Sequence, residues 1–371
     1  ILTKVESIGG STNTFGYGYD VMGRLSQVWR NGVLSTTYTY DDNGNRLSRN
    51  AETATYDLQD RLRTRAGATY NWSPNGHLQS VVSVGGTTTY SYDVRGALTG
   101  VASAGMPAIS YVVDPWGRRI GKKVGGTLQR GWLWDWSLRA DPVPTAELDG
   151  HSGLTLRFVW GSDSTIPAYF EAGTNTYRIL CDERGSVRLA VNVADGTIAQ
   201  QIDYDEFGQV VSDTAPGFQP FGFAGGLYDP DTGLVRFGAR DYDPALGRWT
   251  DRDPSRFDSG SYNLYAFCDS DPVNRVDVDG AGYISAKVRS FQDDFFLCLW
   301  RNMDCVELIK VAQRLAKKEA DMHGKDCQQG NENGYQQIHE ALQRVMAKAA
   351  AKCTGSAAEL YEKLANKIAG F

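Results

Sequence analysis

Histidine is scarce, with four in 371 residues, and the six cysteines never fall at Cys-x-x-Cys spacing. Without such pairs, or a His-x-x-x-His, the sequence offers no ordinary structural zinc site. No motif calls for a cofactor, and none is expected. Long hydrophobic runs are missing as well. The longest candidate, FFLCLW at Phe295 to Trp300, falls far short of the ~18 to 20 apolar residues a membrane-spanning helix needs. Basic charge is not in excess: the formal net charge is −6 and the isoelectric point about 5.4, which argues against a broad nucleic-acid surface. The acidic excess falls before Ala281, and the remainder is nearly neutral. The chain begins at Ile1 inside repetitive text, with neither Met nor a charged-then-apolar leader. It is therefore expected to be the C-terminal part of a longer protein.

Glycine and tyrosine are abundant, at 41 and 19 residues, and both suit short strands joined by tight turns. They recur in a unit: Tyr-Asp, two to four residues, then Gly-Arg-Leu or a close variant. Copies stand at Tyr19-Asp20 to Arg24-Leu25, Tyr40-Asp41 to Arg46-Leu47, Tyr56-Asp57 to Arg61-Leu62, and Tyr92-Asp93 to Ala97-Leu98. Later ones are Asp114-Pro115-Trp116-Gly117-Arg118 and Tyr204-Asp205-Glu206-Phe207-Gly208. Asp accepts turn hydrogen bonds, Gly takes the positive φ, and Tyr and Leu sit on flanking strands, so each copy predicts a hairpin. Between turns, runs such as Thr36 to Tyr40 alternate with the period of a half-buried strand. Trp132, Trp134 and Trp136 fall on alternate positions. That spacing predicts one strand face, packed against a neighbouring layer or lining a groove.

From Phe221 to Gly280 the text grows dense in aromatics, Gly and Asp-Pro pairs. The runs TGLVRFGARDYDPALGRWTDRDP and SYNLYAFCDSDPVNRVDVDG resemble the core that ends the repeat shell of Rhs and YD-repeat proteins. The resemblance implies a mainly β fold, hairpins winding into a spiralling YD-repeat shell. It spans about Tyr17 to Gly280.

Asp229-Pro230, Asp243-Pro244, Asp253-Pro254 and Asp271-Pro272 each have the form of a β-turn start, and most such aspartates serve only that purpose. The resemblance implies more. Rhs cores, and the related C components of insecticidal toxin complexes, cut their own chain just after an Asp-Pro-x-Gly-Leu motif, using aspartates of the same domain. The matching segment here is Asp277-Val278-Asp279-Gly280-Ala281, with Val278 where Pro is usual and Ala281 where Leu is usual. Arg252-Asp253-Pro254 matches the segment that carries a catalytic Asp in the family. Two close carboxylates in a poorly solvated place hold one proton between them and divide the work of base and acid. The expected pair is Asp253 and Asp277, with Asp279 as a substitute, Arg252 keeping one partner ionised, and the cut at or next to Gly280–Ala281.

From Ala281 the hydrophobic period shifts to about 3.6 residues. Val306, Ile309, Ala312, Leu315 and Ala316 form one apolar stripe, and Ile338, Leu342, Val345, Met346 and Ala349 another. Asp304-x-x-Glu307 and Ser356-x-x-Glu359 have capping-box form. A small all-α domain of about four helices is predicted. Its four cysteines, Cys298, Cys305, Cys327 and Cys353, suggest two disulfides in an exported protein. Cys181 and Cys268 are expected as buried thiols. His323 and His339, with Glu319, Glu340 and Lys325 near them, fit acid–base chemistry or plain solvated positions, and no catalytic signature surrounds either.

The domains read as a repeat shell over 1–218, a repeat-associated core over 219–280 and a variable helical domain over 281–371. The function expected is the delivery end of a secreted or surface-displayed polymorphic toxin. Its partners would be its own N-terminal shell segments, secretion machinery and an immunity protein. The alternative is a surface-displayed structural or adhesive protein that binds glycans and ends in an inert helical cap.

Overall fold

Each Tyr-Asp turn is closed by its own aspartate. In the first, Asp20 Oδ1 accepts the backbone N–H of Met22 and of Arg24 at 3.0 and 2.9 Å, and Oδ2 takes Arg24 Nε at 2.7 Å. Asp57 with Arg61 and Asp114 with Arg118 repeat the arrangement. The third residue after the aspartate turns left-handed. Gly23 and Gly117 do so with φ of +80° and +82°, and Asp60 stands in for glycine at +60°. The chain then re-enters a strand with its leucine pointing inward: Leu25, Leu62, Leu78 and Leu98 are each at most 1% exposed.

The repeat tyrosine sets the spacing between turns. Tyr40 donates to the Leu25 carbonyl at 2.7 Å and Tyr56 to the Arg46 carbonyl at 2.8 Å. Where tryptophan replaces it, the indole does the same: Trp72 to Leu62, Trp134 to Arg119 and Trp160 to Pro144. A buried phenol or indole needs a partner for its polar end, and the carbonyl at the exit of an earlier turn supplies one.

The computed structural model describes residues 1–8, 10–135, 143–161, 165–259, 261–282 and 284–285, all within one compact unit, Ile1–Asp293. The expected tail helices, His323, His339, Trp136 and the cysteines Cys298, Cys305, Cys327 and Cys353 lie outside the described residues. From Thr3–Ile8 to Val210–Asp213, each strand pairs antiparallel with the next in a 21-stranded sheet. The fold is mainly β, as the alternating runs imply. No helix among the described residues is long and apolar enough to cross a membrane.

After the meander a four-stranded sheet forms from Leu227–Asp229, Leu234–Phe237, Arg240–Asp243 and Arg248–Trp249. Its core is aromatic: Phe223, Phe237, Tyr242, Trp249 and Phe267 are buried together with Val235 and Val276. This sheet is riveted to the hairpins. Lys122 pairs with Asp229, Tyr111 donates to Asp229 at 2.6 Å, Arg119 pairs with Asp241 at 2.8 Å, and Tyr265 donates to the Gly76 carbonyl at 3.1 Å. Val273 and Phe207 pack with Tyr17, Leu25 and Tyr38 of the first hairpins.

Cys268 is buried as expected, whereas Cys181 is exposed. The strand Asn175–Cys181 buries Ile179, and plain alternation would bury Cys181 too, but a register shift between Leu180 and Cys181 turns it outward. Trp132 and Trp134 are likewise separated by a shift between Leu133 and Trp134. Trp132 is buried with its indole donating to Glu147 at 3.2 Å, while Trp134 packs against the cluster around Phe158 and Phe221.

Candidate active site

Strand Arg240–Asp243 presents its side chains alternately to two buried charge clusters. Asp241 accepts from Arg119 and Arg236, both at 2.8 Å. Arg240, on the other side, is 2% exposed and lies 4.0 Å over the Trp249 ring. Its Nη2 meets Asp253 Oδ2 at 2.8 Å and Asp277 Oδ2 at 3.1 Å. The two carboxylates expected to act together are thus joined by one guanidinium nitrogen.

The segment after Asp277 is held tightly against this cluster. Gly280 has φ of +71°, and a Cβ there would stand 2.6 Å from the Phe237 carbonyl and 3.0 Å from the Arg240 nitrogen. Only glycine allows that approach without displacement. The Gly280 carbonyl accepts from Arg240 Nε at 2.5 Å, and the Gly280 N–H donates to Asp277 Oδ1 at 2.8 Å. The Ala281 N–H donates to Asp279 Oδ1 at 2.9 Å, and the Gly282 N–H approaches Asp277 Oδ1 at 3.4 Å. Ser255 Oγ bridges the Ala281 carbonyl at 3.0 Å and Asp253 Oδ1 at 2.5 Å. The Gly280–Ala281 bond thus has Arg240 donating to its carbonyl and Asp279 at its nitrogen, while the Ala281–Gly282 bond has Asp277 near its nitrogen and, beside its carbonyl, a Ser255 hydroxyl whose one proton goes either to that carbonyl or to Asp253.

One arginine serving two buried carboxylates leaves a charge poorly compensated. Burial pushes Asp277 up to about 7, against the pull of Arg240 and with a further push from Asp279. Asp251, close by on the same segment, rises to about 8 because it is buried, again opposed by Arg240 and raised by Asp241.

The ion-pairing role expected of Arg252 falls to Arg240, because Arg252 is exposed and makes no ion pair among the described residues. Asp279 lies beside the pair, bound to the Ala281 N–H. Neither Arg240 nor Asp251 was among the expected site residues, because no motif marks either one; Arg240 stands within GARDYD, on the strand Arg240–Asp243. The four Asp-Pro aspartates do act in turns: Asp229, Asp243, Asp253 and Asp271 each accept a backbone N–H within four residues.

A meander of Tyr-Asp hairpins capped by an aromatic sheet defines a YD-repeat shell protein. The chain belongs to the family described as Teneurin YD-shell, whose model matches residues 1–273, ending just before Asp277. It is 32% identical over 293 residues to Teneurin-3 of Danio rerio, covering 74% of this chain and 11% of that protein. It is 28% identical over 277 residues to the tRNA3(Ser)-specific nuclease WapA of Bacillus spizizenii, covering 70% and 11%. The chain spans about a tenth of the length of these relatives. Among solved structures, the TcdB2-TccC3-TEV crystal structure is similar at 17% identity over 75% of this chain and 18% of that one, with a TM-score of 0.42.

Proposed function

We propose that this chain is the closing end of a toxin shell, in which residues 219–280 cut the chain beside Gly280 and release residues 281–371 as a helical effector. The supporting observation is the placement of Asp253, Asp277 and the Gly280 carbonyl on the single side chain of Arg240. In the reaction a water oxygen attacks the carbonyl carbon while Asp253 takes the water's proton. Arg240 or Ser255 stabilises the developing oxyanion, as a preorganised donor does in acyl transfer. When the bond cut is Ala281–Gly282, Asp277, which holds its proton up to about pH 7, gives it to the Gly282 nitrogen beside its Oδ1 as the C–N bond breaks; when it is Gly280–Ala281, the carboxyl at the leaving nitrogen is that of Asp279. The balance is one peptide bond hydrolysed to a carboxylate and an amine.

The toxin reading is tested by producing residues 281–371 in the cytosol of a bacterial host and, separately, exported from it. Growth arrest in one compartment supports the reading; normal growth in both counts against it. The protein's partners would then be the N-terminal part of its own shell, a secretion route and an immunity protein, and its location the cell surface or outside.

A second reading, a displayed structural or adhesive protein, draws on a specific feature. The hydrogen bonds around Asp253 and Asp277 are also those of well-formed turns, and Val278, where proline is usual, packs into the aromatic core. A chain that stays whole would favour it.

A further inference from the structure

Among the described residues, the buried ion pairs use arginine, with one exception. Lys122 is 6% exposed and Asp229 5%, and Nζ of the one meets Oδ1 of the other at 2.5 Å. A guanidinium stays charged and is no nucleophile, whereas an ε-amino group becomes one on giving up a proton. The exception therefore brings together an amine and a carboxyl that can condense.

The groups around the pair are those a condensation needs. Tyr111 lies directly opposite Lys122 in the register of strands Ile109–Val113 and Arg119–Val124, and its hydroxyl donates to Asp229 Oδ2 at 2.6 Å. Asp231 Oδ2 also takes Lys122 Nζ, and the Asp231 side chain is half exposed. Burial pushes Asp229 up, but the Lys122 ammonium and the Tyr111 hydroxyl outweigh it and hold the carboxyl below its usual range. The resting pair is thus ionic, and reaction requires a proton carrier. Asp231 touches the ammonium and reaches water, as such a carrier must.

We propose that Lys122 and Asp229 condense into an isopeptide amide, a covalent crosslink between the hairpin meander and the aromatic sheet. One proton passes from the ammonium through Asp231 to Asp229 Oδ1. The neutral amine then attacks Cγ, while Tyr111 stabilises the oxyanion that forms on Oδ2. A second amine proton follows the same route, and the Cγ–Oδ1 bond breaks as water leaves. An ammonium and a carboxylate become one amide and one water, with no oxidant or reductant. The amide keeps partners for both its polar atoms, Tyr111 at the oxygen and Asp231 at the remaining N–H. Bulk water disfavours this condensation, but the fold holds the two groups in contact, and forming the amide removes two buried charges. The link joins residues 107 apart in the chain and does not depend on self-cleavage.

The test is the intact mass of the purified whole chain under denaturing conditions, with peptide mapping after trypsin. The parent should be lighter by one water, and its digest should contain a branched peptide joining the segment around Lys122 to that around Asp229. Lys122→Arg keeps the charge and should restore the full mass. Asp231→Asn, at a half-exposed side chain, should slow the loss of water about a hundredfold or more. Should Lys122→Arg fail to fold, the parent's branched peptide and the Asp231→Asn rate decide. The full mass in the parent after days at neutral pH, a loss of water mapped to any other residues, or a crosslink that persists in Lys122→Arg would each overturn the proposal. An Asp231→Asn rate equal to the parent's would overturn the role given to Asp231.

Discussion

Asp253 and Asp277 share one nitrogen of Arg240, at 2.8 and 3.1 Å, with all three side chains buried. A buried cation between two carboxylates cannot be removed without leaving charge uncompensated, which typically costs about 3–5 kcal/mol. Arg240→Met should therefore lower the urea midpoint sharply and abolish any cleavage. Arg252→Met, on an exposed neighbour, should shift the midpoint little.

Gly280→Ala tests the approach of the cleavage segment to the sheet. The substitution puts a Cβ against the Phe237 carbonyl at a positive φ, a strain of about 1–3 kcal/mol. The segment should be pushed off Arg240, and cleavage should slow even though no ionisable group has changed. A cleavage rate equal to the parent's would mean that the Gly280 carbonyl contact has no role in the reaction.

Asp251 and Asp277 set a pH dependence. The unfolded chain releases these protons near the usual carboxylate range, whereas the folded chain keeps them to about 8 and about 7. Between roughly pH 4 and 8 the folded state thus binds more protons, and these groups make stability fall as pH rises. Asp251→Asn removes one such group. Urea melts should show the variant gaining on the parent by more than about 1 kcal/mol from pH 5 to pH 8, and a constant difference would contradict the assignment.

Within one repeat, Leu58 is fully exposed at the turn tip, while Leu62 is 1% exposed. Leu62→Ala should cost about 2–5 kcal/mol, as buried leucines do. Leu58→Ala should stay within about 0.5 kcal/mol.

The hairpins were legible because their code is local. Asp20 finds its partners within four residues, and the alternation that buries Leu25 is a period of two. The pairing of Asp253 with Asp277 came from a motif, since nothing near either residue announces the other. Arg240 escaped notice for the same reason: it reaches both carboxylates through the packing of a sheet against a returning segment. Cys181 went astray because a single-residue bulge reverses every side chain beyond it.

The most direct test of the account is the intact mass of the purified whole chain, followed over days from mildly acidic to neutral pH. The parent should yield a fragment beginning at Ala281 or Gly282, and Asp253→Asn and Asp277→Asn should each leave a single full-length chain, because paired carboxylates act as a unit. The rate should decline above about pH 7, as Asp277 gives up its proton. A parent that stays whole across that range, or an Asp277→Asn variant that cleaves like the parent, would contradict the central claim.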